Sequence, residues 1–142
     1  MKNRPGTSII EIIIATALIS MAIIAALSLT NHSQKQNTYA RGLAEASGYA
    51  SQAADWIKTE KNTLGWETID AQAAGDYCLN TIPADFSALS AGDCGATSFI
   101  SGTNFQRQIT LTKSPGTINI VITVSWLEQI ERQTKLEMEL IQ

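Results

Sequence analysis

The stretch IIEIIIATALISMAIIAALSL, residues 9–29, decides the architecture of this 142-residue chain, and Glu11 is its one charged residue. In helical geometry twenty-one residues span about 31 Å, enough to cross the hydrocarbon core of a bilayer. A carboxylate within such a segment costs about 2.5–3.5 kcal/mol at the centre of the bilayer and less near its edge. Membrane anchoring gains nothing from this charge, so Glu11 indicates a second role for the segment.

The helix is predicted to be long and to change character along its length. No Pro or Gly lies between Thr7 and Arg41, and the hydroxyls of Thr16, Ser20 and Ser28 can bond back to helix carbonyls. Beyond the apolar run, small and apolar residues recur at spacings of three and four, which is typical of an amphipathic helix. They are Tyr39, Leu43, Ala46, Ala50, Ala53 and Ile57. Gly42 and Gly48 weaken this half, and an end is predicted between Lys61 and Gly65.

The segment that follows, Gly65–Gly102, is rich in Gly and Pro and is predicted to be largely irregular. A short helix is expected near Ala84–Leu89, where Asp85 can cap the start. An irregular segment of this length is unusual unless it is tied down. Cys78 and Cys94 both lie within it.

The last forty residues alternate with period two, which indicates β-strands. The first two strands are predicted over Phe105–Thr112 and Thr117–Leu127, joined by the Pro-Gly turn of residues 113–116. After a polar turn around Glu131–Gln133, a third strand carries alternating apolar residues (Leu136, Met138 and Leu140). Arg107 interrupts the apolar face of the first strand. The predicted fold class is α+β: a long N-terminal helix packed on a three-stranded antiparallel sheet.

Charge indicates the topology and the redox environment. Lys2 and Arg4 precede the apolar run, which favours a cytoplasmic N-terminus with the rest of the chain outside. An oxidising compartment then favours a Cys78–Cys94 disulfide. Free or metal-binding thiols are the alternative, which one His and no CxxC motif disfavour. The formal net charge is −3, so a nucleic-acid partner is not expected.

No residue pattern indicates an enzyme, a cofactor or a metal site. His32 lies on the predicted helix with no Ser, Asp or Cys motif around it. Asp76, Asp85 and Asp93 have no EF-hand spacing, so capping or solvation is a simpler role for them than calcium binding. The sequence is therefore interpreted as that of a non-enzymatic protein.

The residues Gly6-Thr7-Ser8-Ile9-Ile10-Glu11-Ile12 resemble the class III signal of type IV pilins and of the pseudopilins of type II secretion. That signal has a short basic leader, a glycine, a Ser or Thr, two aliphatic residues and a glutamate before a long apolar helix. Gly6 matches the residue before the scissile bond and Glu11 matches the glutamate, whereas Thr7 stands where the family usually has Phe or Met. The motif covers residues 2–29, and the order of elements is similar over the whole chain.

The resemblance implies a sequence of processing and assembly steps and a set of partners. A prepilin peptidase would cut between Gly6 and Thr7 and methylate the new amine of Thr7. The single-pass protein would wait in the bacterial inner membrane, in lipid, until an assembly platform moves it into an extracellular or periplasmic filament of pilin subunits. There Glu11 would neutralise the Thr7 amine of a neighbour, which selects register more than it adds stability.

The resulting organisation has five parts, with a minor pilin as the expected function. They are a leader (1–6), a transmembrane and filament-core helix (7–30), an amphipathic half (31–62), a disulfide-tied variable loop (63–104) and a sheet (105–142). A minor pseudopilin is the alternative within the family. An ordinary signal peptide explains the apolar run less well, because the run is too long and contains Glu11. A membrane-anchored extracytoplasmic binding protein is the alternative of another class.

Overall fold

The computed structural model describes residues 8–128 and 130–142. Two compact units divide the chain, one ending at Ala40 and one beginning at Arg41. We call the second unit, residues 41–142, the head. The elements in chain order are α1 (Ile9–Leu64), α2 (Trp66–Ala71), β1 (Gly75–Cys78), a 3-10 turn (Phe86–Ala88), β2 (Phe105–Ser114), β3 (Thr117–Leu127) and β4 (Glu131–Ile141).

Helix α1 is continuous over 56 residues, as the absence of early Pro and Gly predicts. It ends at Leu64, within the predicted window. Gly65 follows with φ +82°, and its N–H donates to the Lys61 carbonyl at 3.0 Å. A left-handed residue at this place stops the helix while still satisfying one of its last carbonyl groups.

The sheet has four antiparallel strands in the order β1-β2-β3-β4, so the prediction of three strands is wrong by one. The additional strand, β1, lies in the segment predicted to be irregular. It pairs with β2 through Gly75↔Leu111 to Cys78↔Gln108. Four residues are too few to show an alternating pattern, so pairing with β2 rather than local sequence makes this a strand.

The turn between β2 and β3 agrees with the prediction, and the turn between β3 and β4 does not. Between β2 and β3, Pro115 precedes Gly116 at φ +74°, as a type II turn requires. The sequence predicts the second turn at Glu131–Gln133, but Glu131 already pairs with Leu127 in the structure. Glu131 and Gln133 belong to the exposed face of β4, and Arg132 between them is half-buried on the other face.

The core of the head forms where the amphipathic part of α1 meets the inner face of the sheet. Ala46, Ala53 and Ile57 are fully buried, as their spacing predicts. The large residues of the same core come mainly from the sheet, with Ile109 and Ile120 also fully buried. Small residues on the helix therefore complement large ones on the strands, and burial of each Ile contributes about 1.5–3 kcal/mol.

Gly42 has a packing role that its helix propensity does not reveal. A Cβ atom placed on Gly42 would lie 2.7 Å from Trp126 Nε1 and 3.1 Å from Glu128 Oε1. Trp126 is 3% exposed, and its Nε1 donates to Glu128 Oε1 at 3.2 Å. Gly48 has nothing within 4 Å of such an atom. A side chain at position 42 would therefore clash with Trp126, whereas one at position 48 would meet open space.

We expect Gly42→Ala to lower the free energy of unfolding of the head by about 1–3 kcal/mol, because the added methyl overpacks against the indole. Gly48→Ala is the matched control. It should raise that free energy by about 0.5–1 kcal/mol, since only helix propensity changes at this exposed site. Denaturant unfolding of the full chain in detergent, followed by tryptophan fluorescence, measures both. Equal effects of the two substitutions would contradict the packing role of Gly42.

Candidate functional site

The apolar segment of α1, residues 9–29, is the candidate functional site. Its large side chains are exposed on every side of the helix, from 54% at Ile12 to 78% at Ile9. Ile12, Ile13 and Ile14 are consecutive and therefore point in three different directions. A helix that is apolar all round needs an apolar environment, which can be lipid or other protein helices.

Two polar side chains of the segment, those of Thr16 and Ser20, bond back to the helix. Thr16 Oγ1 donates to the Ile13 carbonyl at 3.0 Å, and Ser20 Oγ donates to the Thr16 carbonyl at 2.8 Å. Both bonds confirm the back-bonding predicted for Thr16 and Ser20. Because these hydroxyls need no water, they do not interrupt the apolar character of the surface.

Glu11 is the exception within this surface. It lies exposed in the first turn of α1, and its own N–H donates to the Ser8 carbonyl at 2.9 Å. The first turn carries unpaired backbone N–H groups and the positive end of the helix dipole, so a carboxylate is tolerated best there. Gly6 and Thr7, the predicted cleavage site with its methylated amine, lie outside the described residues and stay predictions.

Within residues 8–128 and 130–142, α1 is the one helix long and apolar enough to cross a membrane. The criteria are the length and the apolar composition of the helix, and a signal sequence near an N-terminus meets them as well. The coarse prediction of a long apolar N-terminal helix is therefore confirmed.

The predicted disulfide is present, and it joins the end of β1 to the following loop. Cys78 and Cys94 are bonded, with their Cα atoms 4.7 Å apart.

The 3-10 turn in the same loop has its predicted cap, since Asp85 Oδ1 accepts from the Ala88 N–H at 3.1 Å. The hydrogen bond from the Ser87 side chain lowers the pKa of Asp85 by more than burial raises it, and the backbone N–H groups of Ala88 and Ser87 lower it further.

Arg107 connects the helix, the loop and the sheet of the head, which the sequence did not reveal. It is 1% exposed, and its Nε donates to the Leu79 carbonyl at 2.9 Å. Its Nη1 donates to the Tyr49 carbonyl at 2.8 Å and to Gln52 Oε1 at 2.9 Å. The Arg107 N–H donates to Asn80 Oδ1 at 2.7 Å.

The charge of Arg107 is therefore held by neutral oxygens. Burial lowers the pKa of its guanidinium, yet an arginine stays charged under ordinary conditions. The one sequence signal was a basic residue at an inward position of an alternating strand. Arg107 is therefore a buried structural residue of the head.

The other polar residues considered in the sequence have local partners. Asp76 Oδ1 accepts from Thr110 at 2.5 Å, and Asp93 Oδ1 accepts from Gln108 at 3.0 Å. His32 Nε2 lies 2.9 Å from Gln36 Nε2 on the exposed helix. In the part of the chain that the structure describes, no three His, Cys, Asp or Glu residues gather as they would around a metal ion.

The chain matches no protein-family model, no curated protein and no solved structure.

We expect Arg107→Lys to lower the free energy of unfolding of the head by about 2–4 kcal/mol. Lysine keeps the charge but lacks the planar fork that reaches three oxygens, so buried acceptors lose their donors. Arg41→Lys is the control, since Arg41 is an exposed residue at the start of the head. Denaturant unfolding compares the two, and a similarly small change in both would contradict the role given to Arg107.

Proposed function

We propose that this protein is a non-enzymatic subunit of a type IV pilus-like filament, most simply a minor pilin. The observation that carries the proposal is the N-terminal part of α1. It is exposed and apolar on all sides over residues 9–29, with the single carboxylate of Glu11 in its first turn. Such a helix suits a subunit that is held first by lipid and later by the helices of its neighbours.

The two environments make different demands on Glu11. Lipid satisfies the apolar side chains but leaves the carboxylate in a medium that disfavours charge. A helix bundle offers the same apolar contacts and can also supply a cation. In the proposed filament that cation is the methylated amine of Thr7 in a neighbouring subunit, created when a prepilin peptidase cuts after Gly6.

The proposed pair works through specificity. Two opposite charges brought out of water gain little net stability, because desolvation offsets most of their attraction. A subunit inserted out of register would leave both charges buried and unpaired, which is strongly unfavourable. The pair therefore favours one axial position of each new subunit delivered by the assembly platform.

The head supports a filament role less specifically. An acidic surface and a disulfide-tied loop suit a secreted or surface-exposed domain. A minor pseudopilin of type II secretion would use the same N-terminal chemistry and is the alternative within this proposal. A membrane-anchored extracytoplasmic binding protein would need the apolar helix but neither cleavage after Gly6 nor the carboxylate.

We expect the protein in sheared filaments to begin at Thr7 with a methylated amine. Intact-mass and N-terminal peptide mass spectrometry of filaments and of membranes measures this directly. Absence of the protein from filaments, or retention of Met1–Gly6 in the cell, contradicts the filament proposal. A processed protein found in the periplasm of a secreting cell, and not in surface pili, identifies the pseudopilin alternative.

We expect Glu11→Ala to leave membrane insertion intact and to reduce incorporation into filaments by about tenfold or more, since about 1.4 kcal/mol of lost selectivity already gives that factor. Glu45→Ala removes an exposed glutamate from the head part of the same helix and is the control. Membrane fractionation gives insertion, and quantitative immunoblots of sheared filaments give incorporation. Recovery of the Glu11→Ala protein at the control level would remove the assembly role of the carboxylate.

A further inference from the structure

The two edges of the head's sheet are protected in different ways. Strand β4 forms one edge and carries charged, exposed side chains at alternate positions, namely Glu131, Lys135, Glu137 and Glu139. Charges along an edge discourage pairing with another chain. Strand β1 forms the other edge, and Asp76 is its one charged residue. This edge needs another form of protection.

A segment of the chain itself covers β1. We call residues 90–95 the edge cover. The Gly92 N–H donates to the Asp76 carbonyl at 2.8 Å, and Tyr77 forms a parallel bridge with Gly92. Gly92 has φ +125°, a backbone conformation that residues other than glycine rarely adopt. The edge cover therefore occupies backbone groups that would otherwise be available to a strand from another molecule.

Besides the Gly92 hydrogen bond, two glutamine side chains of β2 hold the edge cover, and both contacts lie at the surface. Gln108 Nε2 donates to Asp93 Oδ1, and Gln106 Nε2 donates to the Gly95 carbonyl, each at 3.0 Å. Both bonds are exposed, so water competes with them. Apart from Cys94, which is half-buried, every residue of the edge cover is exposed and buries little apolar surface. The covalent attachment through Cys94 to Cys78 is the strongest link.

We propose that the Cys78–Cys94 disulfide is a redox latch on this sheet edge. Oxidation holds the edge cover against β1, and reduction releases the cover while the rest of the head stays folded. The core residues Ile57, Ile109 and Ile120 lie outside the cover, and so do the side-chain partners of Arg107. This inference does not depend on the proposed filament function.

The reduction balances with a dithiol reductant. One thiolate attacks a sulfur of the disulfide and forms a mixed disulfide, and the second thiolate then expels the remaining cysteine. Two electrons and two protons end on Cys78 and Cys94, and the reductant becomes a disulfide. Release of the cover exposes the Asp76 carbonyl, which Gly92 otherwise occupies.

Hydrogen exchange at the Gly92 amide tests the latch, because this N–H donates to Asp76 only while the cover is closed. The full chain in detergent micelles is compared with and without dithiothreitol by NMR. Reduction should accelerate exchange at Gly92 by about tenfold or more, as expected for local opening. Amides of β3, such as Ile122, should keep their protection. The double variant Cys78→Ser/Cys94→Ser should exchange fast at Gly92 and should not respond to dithiothreitol.

Two outcomes overturn the proposal. If the Gly92 amide of the reduced protein stays as protected as in the oxidised protein, the surface contacts hold the cover without the disulfide. If β3 amides lose protection together with Gly92, the disulfide maintains the whole head and is not a latch. The wild-type comparison carries the test even where the serine variant does not fold.

Discussion

A single continuous helix has two segments that require different surroundings, and the rest of the structure depends on this constraint. Along residues 9–29 its side chains are large and apolar on every side, so exposure of this surface to water is unfavourable. Along the head, the same helix shows alanines to the core and polar residues elsewhere. Side-chain size changes with environment: Ile and Leu where the helix has no partner of its own, Ala where a sheet supplies the bulk.

The head is small for the amount of irregular chain that it carries, and two devices compensate. The disulfide ties the loop to β1. Arg107 ties the loop and β2 to the helix through carbonyl oxygens of Leu79 and Tyr49. A buried guanidinium has to have its donors satisfied in one geometry, so it fixes the relative positions of three chain segments. The two devices act at neighbouring points, since Leu79 follows Cys78 directly.

Features with a local cause could be predicted from the sequence, and those with a tertiary cause could not. The helix, its end at Gly65, the Pro115-Gly116 turn and the cap by Asp85 all follow from nearby residues. Strand β1 exists because β2 pairs with it, and the sequence of four residues does not contain that information. The reason for Gly42 lies in Trp126, more than eighty residues away. Of the candidate site, the apolar surface and the position of Glu11 were predicted, because periodicity and hydropathy are local properties.

The order of the strands has a consequence for how the head reaches its folded state. Every strand pairs with its neighbour in sequence, and the two long hairpins have turns of only a few residues. Loop closure for such pairs is fast, and topologies rich in sequence-local contacts fold quickly. The sheet of the head can therefore form one hairpin at a time. The helix-to-sheet contacts, such as Ile57 with the strands, then join parts that are already ordered.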